Sequence, residues 1–237
     1  MSKLRSALTY FSKAELILWL FSLTAILISF FAFRQSDYLN LIASLIGVTS
    51  LIYCAKGNPV GQVMMIIFSL LYGYISYSVS YYGEMVTYLG MTLPMSVFSL
   101  VSWFKNPFVK GKSEVRVNKI SKKEFFLSLI LTSAVTLFFY FILKFLSTAN
   151  IIPGTLSVAT SFLAAYLTFR RSPYFALAYA VNDIVLIILW ILASLRDTGY
   201  VSVIVCFVIF LINDLYGFYN WKKMEKKQHK EKNIQIR

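Results

Sequence analysis

Cysteine and histidine are almost absent from this chain of 237 residues, which holds two cysteines and one histidine. Cys54 and Cys206 lie in different apolar segments, and His229 lies in a lysine-rich stretch near the C-terminus. A disulfide framework, a cysteine–histidine metal cluster or a Ser/His/Asp triad cannot be assembled from so few residues. The sequence therefore predicts no metal, no other cofactor and no enzymatic activity.

Charged residues are also scarce. They form 14% of the chain, whereas about 25% is usual in soluble proteins, and apolar residues form 58%. The mean hydropathy is +0.69, and apolar stretches of about 20 residues recur along most of the length. A water-soluble fold is excluded, and the chain is predicted to be an all-α integral membrane protein.

Eight of the apolar stretches have the length of a transmembrane helix, which needs about 20 residues to cross about 30 Å of hydrocarbon. Turn signals separate them, such as Gly57-Asn58-Pro59, Pro153-Gly154 and Ser172-Pro173, because proline is tolerated in the first turn of a helix. The predicted spans are Glu15 to Phe33, Tyr38 to Cys54, Val60 to Ser80, Glu84 to Phe104, Glu124 to Leu146, Ile151 to Phe169, Pro173 to Leu195 and Gly199 to Trp221.

The basic residues are distributed unevenly between the two sides of this arrangement. If the N-terminus is cytoplasmic, 20 of the 23 lysines and arginines fall inside, as the positive-inside rule describes. The net charge of +13 is then a topology signal, and its expected partner is the anionic inner leaflet and not nucleic acid. The sequence thus predicts a multi-pass protein of the cell membrane with both termini in the cytoplasm.

An internal repeat relates spans two to four to spans six to eight. Pro59 opens the third span as Pro173 opens the seventh, and Trp103 closes the fourth span much as Trp221 closes the eighth. Because one further span separates the two sets, the repeats are parallel, an arrangement known in small-solute transporters. The predicted segments are 1–37 with an additional N-terminal helix, 38–104 as the first three-helix repeat, 105–123 as a basic cytoplasmic loop, 124–146 as a linking helix, 147–221 as the second three-helix repeat and 222–237 as a basic cytoplasmic tail.

Polar residues at mid-membrane depth are the candidates for a binding site, since each costs free energy unless it is paired or in contact with water. Asn182 and Asp183 lie about 15 Å from the cytoplasmic start of span seven, at the rise of an α-helix. Asn213 and Asp214 lie about 12 Å from the cytoplasmic end of span eight. Adjacent antiparallel spans therefore bring the two pairs to a similar depth.

Further polar and aromatic side chains are expected at this depth, from the first half and from the helix face of Asp183. The resulting cavity holds no intramembrane lysine or arginine except Lys144. It suits a neutral or weakly cationic, ring-bearing, hydroxylated solute better than a phosphorylated one, because phosphate favours arginine, lysine or a helix N-terminus. The residues predicted to bind this solute are Asn182, Asn213, Gln62, Thr92, Tyr179, Trp190, Asp183, Tyr72 and Tyr88.

Each of these residues also has a purely structural interpretation. An intramembrane asparagine or aspartate can hydrogen-bond a neighbouring helix without any ligand. Trp103 and Trp221, each followed closely by lysine, are expected to be anchors at the membrane interface. Trp190 lies near the outer end of its span, where an anchor and a binding role are equally open.

The order of several short motifs resembles the PnuC family of vitamin transporters over residues 38 to 223. The resemblance implies a protein that facilitates the uptake of nicotinamide riboside, which cytoplasmic phosphorylation then traps. It also implies an additional N-terminal helix in some members, and relatives thought to carry thiamine, riboflavin or deoxynucleosides. The motifs are Gly57-Asn58-Pro59, Leu71-Tyr72-Gly73, Tyr82-Gly83-Glu84, Arg170-Arg171-Ser172-Pro173 and Asn213-x-x-x-Gly217-x-x-x-Trp221.

One departure from the family pattern lies at the start of span seven. Members typically carry Trp-x-x-Trp ahead of the span-seven asparagine, and the matching positions here are Phe175 and Ala178. Phe175 still offers an aromatic face and joins the predicted site, whereas Ala178 does not. Asn182 matches the family asparagine, so the resemblance implies that it contacts the substrate.

The predicted function is facilitated uptake of nicotinamide riboside, a precursor of NAD, across the cytoplasmic membrane. One alternative is a similar carrier of another vitamin or nucleoside, such as thiamine, riboflavin or a deoxynucleoside. A further alternative is a proton-coupled carrier in which Asp183 or Asp214 titrates. A membrane-embedded enzyme is least favoured, because no span contains histidine or an acidic cluster. The expected partners are a small-molecule substrate and membrane lipids, and the sequence leaves open whether the chain forms a homo-oligomer.

Overall fold

A computed structural model describes residues 10–33, 38–78, 82–148, 150–195 and 200–235. Within these ranges, eight helices are long and apolar enough to cross a membrane, the number predicted from the sequence. The predicted limits at Ser80 and Gly199 lie outside the described residues. The helices are α1 (Lys13–Ala32), α2 (Tyr38–Ala55), α3 (Val60–Ser78), α4 (Tyr82–Lys105), α5 (Lys122–Phe145), α6 (Ile151–Phe169), α7 (Tyr174–Ser194) and α8 (Val201–Gln235).

The last helix is longer than predicted. The sequence analysis ends the eighth span at Trp221 and treats residues 222–237 as a solvated tail, but α8 continues to Gln235. Met224 and Gln228 on this extension are buried, so part of the extension packs against the rest of the chain. A pattern of lysines with few apolar residues does not reveal this packing.

The helices pack in an order that interleaves the beginning and the end of the chain. α2 packs against α3 and α8, α8 packs against α7, and α4 packs against α6. α8 packs against α7 and α2 at Gly217, where a Cβ would lie in ordinary van der Waals contact, 3.5 Å from that of Ala176 and 3.8 Å from that of Ala55. The centre of the bundle is therefore formed by helices that are far apart in sequence.

The turns that follow α2 and α6 have the same geometry. Gly57 and Arg171 both adopt the left-handed conformation, with φ of 63° and 56°. Their backbone N–H groups donate to the carbonyls of Cys54 and Thr168, each over 2.9 Å. Such an ending satisfies carbonyls that the last helical turn would otherwise leave unpaired. The two predicted proline turns are therefore equivalent helix ends.

Two tryptophans donate hydrogen bonds to these helix ends. Nε1 of Trp103 in α4 donates to the carbonyl of Thr168 over 2.9 Å, and Nε1 of Trp221 in α8 donates to that of Cys54 over 2.8 Å. Their ring centroids are 5.4 Å apart, and the residues are 1% and 0% exposed. The expectation that they anchor the membrane interface is wrong, because helices from opposite ends of the chain enclose both rings.

The residue before each tryptophan donates a further hydrogen bond to the same helix end. Ser102 donates to the carbonyl of Phe169 over 2.8 Å, and Asn220 donates to that of Ala55 over 2.7 Å. Four side chains thus make two equivalent pairs of contacts, each across the bundle. The parallel repeat stays a prediction, and these matched contacts support it.

The basic loop is ordered and lies across both turns. In residues 106–121, which we call the strap, the N–H of Val115 donates to the carbonyl of Gly57 and that of Asn118 to the carbonyl of Arg171, each over 3.0 Å. Gln228 of α8 donates to the carbonyl of Val115 over 3.0 Å. Predicted as solvated charge, the strap instead ties the ends of α2, α6 and α8 together. The side of the bundle that carries it is called the basic side below.

α1 and α5 also begin in the same way. The hydroxyls of Ser12 and Ser121 accept from the N–H groups of Glu15 and Glu124, as N-caps do. Glu15 then pairs with Lys56 after α2 at 3.0 Å, and Glu124 pairs with Arg170 after α6. These matched contacts favour two four-helix halves, α1–α4 and α5–α8, over three-helix repeats with an additional helix and a linking helix.

A π-helical turn interrupts α4. It spans Tyr88–Thr92, and the N–H of Leu93 donates to the carbonyl of Tyr88, five residues earlier. Pro94 follows and has no N–H with which to continue the α-helical ladder. Single π turns of this kind are frequent at functional sites, since they displace the side chains around them.

Candidate functional site

A cavity of about 530 Å³ lies between the two halves. One end of the cavity lies towards the strap and reaches Tyr179, Asp183 and Asp214; we call it the inner end. The other end reaches Thr148 and Tyr200, on the side opposite the strap. Side chains from both halves line it, with α3 and α4 facing α6, α7 and α8. Its volume falls in the range of about 300–1,000 Å³ that is typical of small-molecule sites.

Two aspartates lie side by side at the inner end. Asp183 of α7 and Asp214 of α8 are 4% and 5% exposed, and their carboxyl groups are close enough to interact through a hydrogen bond. Oδ2 of Asp183 has no hydrogen-bond partner among the described residues. A buried polar oxygen without a partner is costly, so a ligand that reaches it is favoured.

Asn182 is held in place by hydroxyl groups of α6. Its side-chain oxygen accepts from Thr160 over 2.8 Å, from Ser161 over 2.9 Å and from Ser157 over 3.2 Å. Asn182 lines the cavity, and its amide nitrogen donates to none of the described residues. The amide N–H groups are thereby left for a carbonyl or hydroxyl oxygen of a ligand.

Aromatic side chains form much of the cavity wall. The ring of Phe68 lies 5.9 Å from that of Tyr88 and 6.2 Å from that of Phe210, measured between centroids. Trp190 and Tyr200 lie 5.2 Å apart at the other end. Flat rings at these spacings suit a ligand with a planar ring, and their faces attract positive charge.

Lysine and arginine are absent from the cavity wall as far as the structure describes it. Lys144 is exposed on α5, outside the lining. The two arginines of the Arg170-Arg171 turn lie on the basic side, where Arg170 pairs with Glu124. The hydrogen bond that Arg170 donates to Glu124 raises the pKa of Arg170, whereas burial and the charges of Arg170 and Arg116 lower the pKa of Arg171. Neither arginine reaches the cavity.

A layer of aromatic rings separates the cavity from the basic side. Phe175 packs its ring 4.9 Å from Trp221 and 6.3 Å from Trp103, and we call these three residues the closing layer. Tyr179, which lines the cavity, lies 6.4 Å from Phe175. The strap covers the far side of this layer through the buried Val115. The cavity is therefore closed towards the basic side.

Most of the residues predicted to bind the solute line the cavity. They belong to both halves and include the π turn of α4. The six that line it are Asn182, Asp183, Tyr179, Trp190, Tyr88 and Thr92.

Asn213 does not line the cavity. Its amide nitrogen donates to Oγ of Ser22 in α1 and to the carbonyl of Ile209, each over 2.9 Å. Successive residues of a helix point about 100° apart, so α8 presents Asp214 to the cavity and Asn213 to α1. The side chain of Asn213, which was predicted to contact the solute, therefore contacts α1 instead.

The other three predicted residues also lie outside the lining. Gln62 donates to Sγ of Cys54 over 3.3 Å and so joins α3 to α2. Tyr72 is buried behind the wall, with its ring centroid 4.9 Å from that of Tyr88. Phe175 belongs to the closing layer. Tyr72 and Phe175 thus support the cavity through the lining residues Tyr88 and Tyr179, whereas Gln62 only joins two helices.

Some cavity residues were not predicted to bind the solute. Glu84 lies in the first turn of α4, and Asp214 was considered only as a proton carrier. Ser157 and Ser161 line the cavity from α6. These two serines are four residues apart on one helix face, together with Thr160. This spacing of hydroxyl groups is the signal that could have revealed them.

The fold and the cavity together define a class of protein. The eight apolar helices form a bundle with a closed-ended cavity, whose wall combines aromatic rings with a few placed polar groups, as expected of a carrier for a small solute. Residues 37–223 match the family described as nicotinamide mononucleotide transporter. The chain belongs to this family of membrane transporters, which includes the PnuC proteins that its motifs resemble.

Two curated relatives carry the same name. The nicotinamide riboside transporter PnuC of Neisseria mucosa is 25% identical over 214 residues, which cover 88% of this chain and 81% of the relative. The nicotinamide riboside transporter PnuC of Haemophilus influenzae is 24% identical over 192 residues, covering 81% and 82% of the two chains.

A solved structure has the same fold. The crystal structure of the vitamin B3 transporter PnuC superposes with a TM-score of 0.79 at 23% sequence identity. The superposition covers 92% of this chain and 94% of the other. The helical bundle therefore has the same overall fold as a structure that has been solved by crystallography.

Proposed function

We propose that the chain takes up nicotinamide riboside, a precursor of NAD, by facilitated diffusion. The observation that carries this proposal is the composition of the cavity wall. It offers aromatic faces for a planar ring, a fixed amide at Asn182 for hydrogen bonds, and no lysine or arginine among the described lining residues. The names of the two curated relatives support the same substrate.

The charge of the wall favours the riboside over the mononucleotide in the family description. A phosphate group that leaves water needs compensating cations or N–H donors. The acidic or basic residues of the described lining are Glu84, Asp183 and Asp214, all carboxylic acids, and none of them supplies the positive charge that a phosphate needs. A nucleoside without phosphate meets no such penalty, since hydroxyl groups can donate to carboxylate oxygens.

The proposed orientation places the basic side in the cytoplasm, with both termini. It rests on the bias of basic residues, 20 of 23 of which then lie inside. The cavity would then be open to the exterior and closed to the cytoplasm by the closing layer. Movement of the two halves against each other would expose the cavity to the cytoplasm, where phosphorylation would trap the released nucleoside.

A second candidate is a carrier of the same kind that moves a proton with its substrate. The contact between Asp183 and Asp214 is the observation that favours it, because carboxyl groups in transmembrane helices form proton relays in many transporters. This candidate uses the same cavity and differs only in the source of energy.

Uptake into vesicles tests the proposal. Purified protein in liposomes should accumulate labelled nicotinamide riboside, and unlabelled riboside should inhibit this uptake at least about tenfold better than the mononucleotide, as a loss of more than about 1.4 kcal/mol requires. Thiamine, riboflavin and deoxythymidine serve as alternative competitors, and empty liposomes are the control. Equal inhibition by riboside and mononucleotide would contradict the proposed substrate.

The same vesicles separate facilitated from coupled transport. Facilitated diffusion stops when the inner and outer concentrations are equal, and an imposed pH gradient leaves that end point unchanged. Enclosing a nucleoside kinase and ATP should raise the trapped label well above it. Accumulation above the outer concentration, driven by a pH gradient without kinase, would favour the proton-coupled candidate.

A further inference from the structure

The acidic and basic side chains in the described cavity wall are all carboxylic acids. Glu84 lies towards the end opposite the strap, and Asp183 and Asp214 lie at the inner end. Three carboxyl groups face a space that no described lysine or arginine lines. Because the surrounding wall is apolar and aromatic, the attraction between an ionised carboxylate and a cationic ligand is screened much less here than in water, and a bound cation favours the ionised form.

Glu84 has no structural partner that would explain it. It lies in the first turn of α4 and makes no hydrogen bond or ion pair within the described part of the chain. Glu15 provides a contrast, since it is the N-cap partner of Ser12 and pairs with Lys56. An acidic residue with a purely structural role is expected to have such partners, as Glu15 does. Glu84 has none among the described residues.

A second observation at the inner end also indicates a ligand. Asp183 is 4% exposed, and its Oδ2 atom has no partner among the described residues although it lines the cavity. Buried carboxylate oxygens are normally paired, so this atom is placed to interact with a bound group. Phe68, Tyr88 and Phe210 lie in the same wall and offer ring faces that attract cations.

We propose that Glu84 and Asp183 are specificity-determining residues which make the cavity select a solute whose planar ring carries a positive charge. Aromatic faces alone accept charged and uncharged rings, whereas carboxylates on both sides of them favour a cation. The inference rests on the proposed function, because the pyridinium ring of nicotinamide riboside carries one positive charge. It adds that the charge itself is recognised, and not only the shape of the ring.

Three probes with almost the same shape test this inference on the intact protein. Nicotinamide riboside is a cation, its dihydro form is neutral, and nicotinic acid riboside adds a carboxylate to the cationic ring. Affinities measured by calorimetry should favour nicotinamide riboside over the dihydro form by at least about tenfold, and nicotinic acid riboside should bind most weakly, since it brings a negative charge to an acidic wall. Equal affinity for the cationic and the neutral form would overturn the inference.

Two isosteric variants assign the effect to the named residues. Glu84→Gln and Asp183→Asn should each reduce the preference for the cationic over the neutral form by about tenfold, mainly through weaker binding of the cation. The matched control is Glu231→Gln on the exposed extension of α8, which should keep the preference of the unchanged protein. An unchanged preference in both cavity variants would overturn the assignment. If one variant does not purify as a monodisperse protein, the other variant decides.

The outcomes also distinguish this inference from the proposed function. If the unchanged protein binds neither nicotinamide riboside nor its dihydro form, the proposed substrate is wrong. If it binds both equally and transports the riboside, the proposed function stands and selection by charge is wrong.

Discussion

The two four-helix halves agree at the basic side and differ in the middle of the membrane. At the basic side, Gly57 and Arg171 end their helices in the same conformation, and Trp103 and Trp221 make the same contact with the opposite half. Halfway across, the agreement ends, because the halves supply different chemical groups to the cavity.

Equivalent positions can be counted from the matched prolines Pro59 and Pro173. By this count Phe68 of the first half corresponds to Asn182 of the second, and both line the cavity. Counted back from the two tryptophans, Asp214 corresponds to Ser96, which is buried. At these positions the first half has a ring and a buried hydroxyl group where the second has an amide and a carboxyl group. Closure of the basic side is shared by the halves, whereas recognition of the solute is divided between them.

The largest expected effect concerns the shared part. Trp103→Ala and Trp221→Ala should each lower the free energy of unfolding by about 3–5 kcal/mol, because each removes a buried indole and a hydrogen bond between halves. Thermal unfolding in detergent would measure both, with Trp19→Ala, whose indole donates to Thr49 near the lipid-facing side, as the control. A large loss from only one of the two would break the equivalence of the halves.

The next effect separates recognition from packing within the second half. Asn182→Leu should weaken binding of nicotinamide riboside by about 5- to 150-fold, the equivalent of an unpaired hydrogen-bonding group at about 1–3 kcal/mol. Asn213→Leu is the matched control, because it should lower the melting temperature through the lost contact with Ser22 while the affinity stays the same. Calorimetry and thermal unfolding on both variants give the answer. A loss of affinity in the Asn213 variant would place that residue in the binding site after all.

A smaller effect is expected at the left-handed turns. Gly57→Ala should destabilise the protein by about 1–2 kcal/mol from its conformation alone. The new Cβ would also meet Met224 at 2.8 Å and Val115 at 3.1 Å. Gly111→Ala is the control for conformation, since Gly111 has φ of 82° and nothing lies within 4 Å of a Cβ there. Equal losses of unfolding free energy in the two variants would show that Met224 and Val115 can move away from the new Cβ at position 57 without cost.

The smallest effect is expected for two ion pairs. In each half, one ion pair joins the first helix to the turn that follows the second helix. Arg170→Gln should cost about 0–1 kcal/mol and less at high salt, because the pair with Glu124 is partly exposed. Lys56→Gln should cost more, since it leaves the carboxylate of Glu15, whose side chain is 4% exposed, without its cation. Unfolding at two salt concentrations compares them, and equal losses would mean that burial of Glu15 is unimportant.

The sequence predicted the fold well because membrane burial leaves a strong signal. Apolar runs, proline turns and the bias of basic residues located eight helices, seven of which agree with the predicted spans to within a few residues. The failures concern regions whose structure depends on contacts. The strap and the extension of α8 are rich in lysine, and their order becomes visible only in contacts such as those of Val115 with Gly57 and with Gln228.

The site was predicted in part for a related reason. Depth in the membrane can be counted from a helix end, and this brought Asn182 and Asp183 to the cavity. The direction of a side chain depends on how its helix is rotated, which the count does not fix. Asn213 and Asp214 are neighbours in sequence at nearly equal depth, yet the first contacts α1 and the second lines the cavity.

The exchange of hydrogen bonds by Trp103 and Trp221 has a kinetic consequence. Each indole is bound to the half to which it does not belong, so the halves cannot part on the basic side while either bond persists. In the proposed transport cycle, opening on the basic side would have to break both bonds, each worth about 0.5–1.5 kcal/mol. Together they would raise the barrier by about 1–3 kcal/mol, which makes opening about 5- to 150-fold slower than it would be without them.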